Sequence, residues 1–378
     1  MKTRLKSYKL KDYDFFLVIL VSALSTIGVF AVGSARPSLM KAQLYGMIGG
    51  LVLMLVISLF DYNWILKFYW AYYIGTIILL VLVAYSPWKD DAGGAVRWLE
   101  IPGFIRFQPS EMAKILLILF FAKFIMKYKD KLNKLKYFLL ILALYALPLY
   151  LIYDQPDLST TIILFVVLAS LLFFGGLSWK ILVPILAIAI PVGILLFVLI
   201  LQPDQKILKY DYQQNRILAW LYPDEYTDSG AYQQQNSITA IGSGQLMGKG
   251  YNNSEITSLK NGDFIDEPHT DFIFTVIGEE LGFIGAAGVA ILIALIVIDC
   301  FRIALRAQDY AGAIIAGGMA VLIGSQAFVN MAVTTGLFPN TGMTLPFVSY
   351  GRTSLVSMFA GMGFVLNVSL QPVRKFNN

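Results

Sequence analysis

The stretch DEPHTDFIFTVIGEELGF, residues 266–283, holds the only histidine of the chain, His269, and three carboxylates within six residues, Asp266, Glu267 and Asp271. A long apolar run follows at once, so these acids stand where a helix enters an apolar phase. A carboxylate in that place can do two things. It can cap the helix, accepting from orphan N–H groups of the first turn for about 1 kcal/mol. It can also take a proton from a bound group as a general base. Spacing alone favours the cap for Asp271, with Pro268 and Thr270 as helix-start residues. On the helix, Thr275, Gly278 and Gly282 share the face of Asp271, and Gly278 with Gly282 forms a small-xxx-small pair that lets a neighbouring helix come close. Glu279 lies about two turns deeper, and Glu280 lies on the opposite side. His269 is an alternative base, although a histidine two residues from a helix start reads more readily as a solvated or hydrogen-bonded bystander.

Other charges at the edges of apolar runs are costly and therefore point to function. Glu111 and Lys114, in QPSEMAK, are three apart and can pair on one helix face; the same lysine could instead stand near a phosphate. In DQPDLST, Pro156 breaks a helix and Asp157 is placed to cap the next. Arg97 and Trp98, in GGAVRWLE, suit a snorkelling cation beside an interfacial aromatic, or an anion holder beside a ring that packs on sugar or lipid. AIGSGQLMGKG is a Gly-rich loop with Lys249. It lacks the spacing of a nucleotide-binding phosphate loop.

The elements that must position these residues are membrane helices. The chain has 378 residues, 57% hydrophobic and 14% charged, whereas soluble domains carry about 25% charge. Ten apolar stretches are long enough to span: 14–34, 42–60, 66–86, 109–126, 137–153, 157–175, 179–201, 272–299, 311–336 and 345–369. Lysines and arginines crowd the N-terminal segment, the loop KFIMKYKDKLNKLK, Arg302, Arg306, Arg374 and Lys375. By the positive-inside rule these are cytoplasmic, which puts both termini inside and the loops 86–108 and 202–271 outside. Asp271 then sits at the outer mouth of the eighth span. Within the second loop, ILKYDYQQNRILAWLYPDEY suits a helix lying in the lipid interface. The predicted fold is all-α, one polytopic domain over 1–378. The net charge of +5 speaks of topology and anionic lipid, and no basic, aromatic-interleaved patch suggests nucleic acid. One cysteine, Cys300, and one histidine exclude an intrachain disulfide and a zinc site of the usual ligand count. No internal repeat of useful strength supports a transporter built from duplicated halves.

GGAVRWLE, QPSEMAK, QPDLST, AIGSGQLMGKG, PHTDFIFTVIGEELG, QAFVNMAVTTGLFPNTGMTLPFVSYG and the ten-span pattern occur in this order. Together they resemble the SEDS family of bacterial cell-wall polymerases, the group of RodA, FtsW and SpoVE, over essentially the whole chain. The resemblance implies a peptidoglycan glycosyltransferase in the bacterial plasma membrane, acting on its extracytoplasmic face. Its substrate would be lipid II, an undecaprenyl-diphosphate-linked disaccharide-pentapeptide. Its partner would be a class B penicillin-binding protein that cross-links the strands. The short N-terminal tail leans toward a RodA-like role in elongation, beside FtsW- or SpoVE-like septal or sporulation roles. The family's essential acid maps to Asp271, and Trp98, Glu111, Lys114 and Asp157 fall on its other motifs. Lys249, His269 and Ser349 lie in matching segments, and Arg352 stands after SYG where the family usually has a second glycine.

The chemistry expected is an inverting displacement. Asp271 would take the proton of an acceptor sugar hydroxyl, and Arg97, Lys114 and Arg352 are candidates to hold the diphosphate, with room for a divalent cation, Mg2+ or Mn2+. A diphosphate is a good leaving group once its charge is balanced, so no second carboxyl acid is required, unlike the pair in glycosidases. A lipid flippase would need polar groups continuous through the bilayer, whereas the charges here cluster in the outer half. A pure scaffold would leave those charges unexplained.

Overall fold

The computed structural model describes residues 13–85, 89–90, 97–100, 106–202, 211–223, 225, 229–252 and 265–371. The N-terminal lysines, Arg374 and Lys375, used above for orientation, lie outside the described residues. Helices dominate, and each predicted apolar stretch is one. They are α1 (Phe15–Ala35), α2 (Met40–Ser58), α3 (Tyr62–Ile65) continuing through a short 3-10 turn into α4 (Tyr69–Tyr85), α5 (Pro109–Lys127), α6 (Leu135–Asp154), α7 (Leu158–Phe174) and α8 (Trp179–Ile200). The segment between spans adds α9 (Asp211–Leu221) and α10 (Ser229–Ser243), and α11 (Ile273–Arg306), α12 (Tyr310–Thr334) and α13 (Arg352–Leu370) complete the chain. A small antiparallel sheet, β1 (Lys89–Asp90), β2 (Trp98–Glu100) and β3 (Arg106–Phe107), forms in the loop ahead of α5, pairing Leu99 with Lys89 and Phe107.

Among the described residues, eight helices are long and apolar enough to cross a membrane. Two of the ten predicted spans differ, each for a physical reason. The apolar helix α7 has only 17 residues. Helix α5 carries Glu111, Lys114, Lys123 and Lys127 along its 19 residues. Its charges are tolerated because the helix is wrapped: Ile115, Leu117–Phe121 and Ile125 are all buried against other helices.

Helix α12 is the frame of the bundle, packing on α11, α7, α5 and α13. Lipid tails are as apolar as leucine, so close packing must bind helices together. Gly317 and Gly318 provide it: a Cβ on Gly317 would fall 2.4 Å from the Phe174 ring, and one on Gly318 would fall 2.8 Å from Leu171. The last predicted span begins seven residues late, at Arg352, because residues 345–351 fold back as a loop instead of extending the helix.

Helix α9 takes the place of the predicted interfacial helix. Its Ile217, Leu218 and Ala219 are buried, and Trp220 Nε1 donates to the Gly336 carbonyl at 2.8 Å. Its apolar side is therefore turned onto the protein.

Candidate active site

The N-cap of α11 is Phe272, and no side chain caps it. Residues 268–272 form turns ahead of the helix. The expected capping role of Asp271 is therefore not filled: its carboxyl makes no capping hydrogen bond to the first turn of α11. Asp157 does what its spacing predicts, capping α7 by accepting from Thr160 N at 3.1 Å. Its second oxygen accepts from Gln108 Nε2 at 3.3 Å and Ser110 Oγ at 3.5 Å, which ties the start of α7 to the start of α5.

The turn carrying Asp271 is pinned from α12 and from the loop 339–351. Asn330 Nδ2 donates to the Asp271 carbonyl at 2.7 Å and the Met343 carbonyl at 2.6 Å. Ser349 Oγ donates to the Thr270 carbonyl and accepts from Leu345 N, both at 2.7 Å. Tyr350 N donates to the His269 carbonyl at 2.9 Å. His269 itself is buried beside the Tyr350 ring, not solvated, and its Nδ1 has no hydrogen-bond partner among the described residues. Burial pushes the His269 pKa down, so the imidazole is neutral at pH 7.

Asp271 is partly buried. Desolvation pushes its pKa up to about 6, opposed by the positive charges of Arg216 and Arg97 and reinforced by Glu267 and Asp157. At pH 7 such a group is still mostly ionised, yet far more basic than a free aspartate. Arg216, on α9, was not singled out by the sequence. A cation on an amphipathic loop helix carries no sign of which helix end it will face. Both side chains lie close to Gly342: a Cβ there would lie 3.3 Å from Asp271 Oδ2 and 3.8 Å from Arg216 Nη1.

The other predicted residues divide. Arg97 reaches the same corner, donating through Nε to the Gln155 carbonyl at 3.3 Å and through Nη2 to that of Pro156. Trp98, on β2, lies under the Arg106 guanidinium at 4.9 Å. Lys114 is fully buried, with Nζ 2.8 Å from Glu111 Oε1 and 3.0 Å from Gln326 Oε1. Gln326 Nε2 in turn donates to Thr344, so this network lies one step behind the site and supports the same loop. Lys249 is paired with Glu279 at 2.9 Å, deeper along α11. Arg352 is exposed at the first position of α13. Among the described residues no three His, Cys, Asp or Glu side chains come together as a metal cage.

The fold is a helical membrane bundle, with the Asp271 carboxyl near the guanidinium groups of Arg216 and Arg97 ahead of α11. Residues 9–373 match the FtsW/RodA/SpoVE family, described as "Cell cycle protein". The chain is 34% identical, over 98% of both chains, to the probable peptidoglycan glycosyltransferase FtsW of Geobacter sulfurreducens. It is 37% identical, over 79% of this chain and 77% of the other, to the peptidoglycan glycosyltransferase MrdB of Escherichia coli K12. In structure it matches the rod-shape-determining protein RodA of Thermus thermophilus with a TM-score of 0.69, 27% identity and coverage of 94% and 96%. It also matches, with a TM-score of 0.77, 29% identity and coverage of 94% and 97%, a chain from work on "structural coordination of polymerization and crosslinking by a peptidoglycan synthase complex". The chain belongs to the SEDS family and is a glycosyltransferase.

Proposed function

We propose that the protein polymerises lipid II into glycan strands at the outer face of the bacterial plasma membrane, with Asp271 as general base. The observation that carries this reading is the half-buried Asp271 carboxyl, left uncommitted to capping α11 on a turn that Asn330 and Ser349 pin by its backbone carbonyls. The acceptor hydroxyl gives its proton to Asp271 while its oxygen attacks the anomeric carbon of the donor. The bond from that carbon to the diphosphate breaks, and the electron pair leaves with the lipid diphosphate. The new bond forms on the opposite face, so the anomeric configuration inverts. Asp271 returns its proton to solvent before the next addition. Arg97 and Arg352 are the candidates to balance the charge of the leaving group.

The outer face is supported by α5. Its first residues meet Asp157 beside Asp271, and its last lead into the loop of lysines 127–136. Nineteen residues of helix separate the two ends by about 28 Å, close to the hydrocarbon thickness of a bilayer. If the lysines are cytoplasmic, the acid is outside. The ten-span count, with α5 and α7 crossing inside the bundle, and cytoplasmic termini belong to the same reading.

A class B penicillin-binding protein is the proposed partner, supported by the likeness to a chain of a synthase complex for polymerization and crosslinking. We favour a RodA-like role in elongation, supported by the RodA and MrdB likenesses; complementation of RodA- and FtsW-depleted cells decides between them. The central test uses purified protein with a partner transpeptidase and lipid II. Wild type makes glycan chains, and Asp271→Asn, equally well folded, makes none. Equal polymerisation by the variant removes Asp271 as base.

A further inference from the structure

We propose that Gln213, on α9, is a substrate-recognition residue, and that its side-chain amide reads neighbouring hydroxyl groups of a sugar ring bound beside Asp271. This deepens the proposed polymerase reading and rests on it. The observation is a buried amide that binds nothing. Gln213 is 5% exposed, and neither its Oε1 nor its Nε2 has a hydrogen-bond partner among the described residues. Every other glutamine buried among them (Gln43, Gln155, Gln214, Gln234, Gln326 and Gln371) makes at least one hydrogen bond through its amide. Gln214, the next residue, donates to the Ile200 carbonyl at 2.9 Å and so ties α9 to the end of α8. Gln213 has no such task inside the protein.

Helix geometry places this amide at the site. Residues three, four and seven apart share one face, so Gln213 is aligned with Arg216, Ile217 and Trp220. Trp220 Nε1 is bonded to the Gly336 carbonyl, and Ile217 is buried. Arg216 Nη1 and Asp271 Oδ2 both lie within 4 Å of where a Gly342 Cβ would be. This face of α9 therefore runs along the loop 336–342, with Gln213 one helical turn, about 5 Å, beyond Arg216. Arg216, Asp271, Thr341 and Gly342 are each half-buried, so the site is open to a ligand at this point.

The amide is not alone. Asn330 Oδ1, Thr341 Oγ1 and His269 Nδ1 are also buried without a partner among the described residues. Asn330 holds the Asp271 carbonyl, Thr341 adjoins Gly342, and His269 precedes Asp271 by two residues. Buried polar atoms are normally satisfied, and exceptions need an explanation. A polyhydroxylated ligand supplies one. An amide donates through Nε2 and accepts through Oε1, so its ligand must offer an acceptor and a donor side by side. Adjacent hydroxyls of a sugar ring do so, because each both gives and takes a hydrogen bond. A diphosphate only accepts and would leave Oε1 unpaired, and a hydrocarbon chain does neither. The amide therefore reads the sugar of a lipid-linked substrate, not its diphosphate or its chain.

The test compares two ligands of the full-length protein in detergent: lipid II, and undecaprenyl diphosphate, which has the same chain and diphosphate but no sugar. Binding is measured in Asp271→Asn, where lipid II is not consumed, with and without Gln213→Met. The added substitution is expected to weaken lipid II binding roughly tenfold, as for loss of two neutral hydrogen bonds, and to leave undecaprenyl diphosphate binding unchanged. Gln213→Met alone should lower kcat/KM for lipid II by a similar factor. Its melting temperature should be unchanged or higher, because no internal hydrogen bond is lost, whereas Gln214→Met, which loses its bond to α8, should melt lower. An unmoved lipid II affinity, or an equal loss for both ligands, overturns the proposal. Failure of Gln213→Met to fold does the same, since the amide would then serve the protein itself. Polymerisation by Asp271→Asn would instead defeat the assignment of the base, and kcat/KM of Gln213→Met would still judge the amide, so the two failures are distinct.

Discussion

Asn330 and Asp271 are joined by a hydrogen bond of 2.7 Å from the side-chain amide of one to the backbone carbonyl of the other. The same amide nitrogen reaches Met343 O at 2.6 Å. One buried side chain on α12 thus fixes both the acid-bearing turn and the loop that carries Gly342. One helical turn earlier, Gln326 holds Thr344 and the Lys114 ammonium. The Asp271 carboxyl stands on a loop, but a rigid helix sets its position.

Removing this amide is therefore expected to affect activity more than folding. Asn330→Ala leaves two buried carbonyls without their donor, at a cost of about 1–3 kcal/mol. Polymerisation should fall more than tenfold, while the variant still purifies as a monodisperse species. Thermal unfolding in detergent, read beside lipid II turnover, checks both halves. Full activity would show that the turn is held without Asn330.

Much of this arrangement could be read from the chain. Every apolar stretch became a helix, because about 20 apolar residues have no other stable form in lipid. The Asp157 cap and the Glu111–Lys114 pair followed from local spacing, and both are present. Contacts decided by tertiary approach were not legible. Asn330 and Gln326 are four apart in an apolar helix, which marks one polar face but not what it meets. Arg216 is 55 residues from Asp271 in sequence, and only the fold of α9 onto the bundle brings them together. The cap expected of Asp271 failed because the turn is held by its carbonyls, which leaves the carboxyl available.

The pKa of Asp271 makes a stability prediction with a definite sign. Its folded value, about 6, lies above the ordinary 3.8. The charged form is therefore disfavoured in the folded state, and this penalty is complete above about pH 6 and absent below about pH 4. Asp271→Asn should be at least as stable as wild type at pH 7.5, by up to about 3 kcal/mol. The difference should close as pH falls from 6 to 4. Melting curves of both proteins across that range test it. A variant less stable than wild type at pH 7.5 would mean that the charge is stabilised, not penalised, by its surroundings.

Lys114 and Glu111 test a structural role against a substrate role. Both side chains are nearly inaccessible, and the pair is closed at 2.8 Å. Breaking a buried pair strands a charge, which costs roughly 3–5 kcal/mol, whereas removing both charges is often close to neutral. Lys114→Met alone should unfold much more readily, and Glu111→Gln with Lys114→Met should recover most of the loss. The double variant is also expected to keep at least about a tenth of wild-type turnover, since no more than positioning is lost. A folded but inactive double variant would instead make Lys114 a direct ligand of the substrate.

The bend in α11 depends on one glycine. Gly282 has φ 63° and ψ −162°, so the helix is interrupted one turn beyond Glu279. The freed backbone groups are taken up by the preceding Gly-rich loop. Phe283 N and Ile284 N donate to Gln245 O and Leu246 O, while Lys249 N and Gly250 N donate to Glu279 O and Glu280 O. The Lys249–Glu279 ion pair closes the same junction. A Cβ at position 282 would fall 2.3 Å from Gly248 N, and the backbone angle itself suits only glycine. Gly282→Ala must therefore either straighten α11 and expel the loop or fail to fold. A large fall in monodisperse yield and melting temperature is expected. Lys249→Met, which removes one ion pair and leaves the backbone contacts in place, should be milder in both measurements. The opposite ranking would mean that the charge pair, not the glycine, holds the loop against the helix.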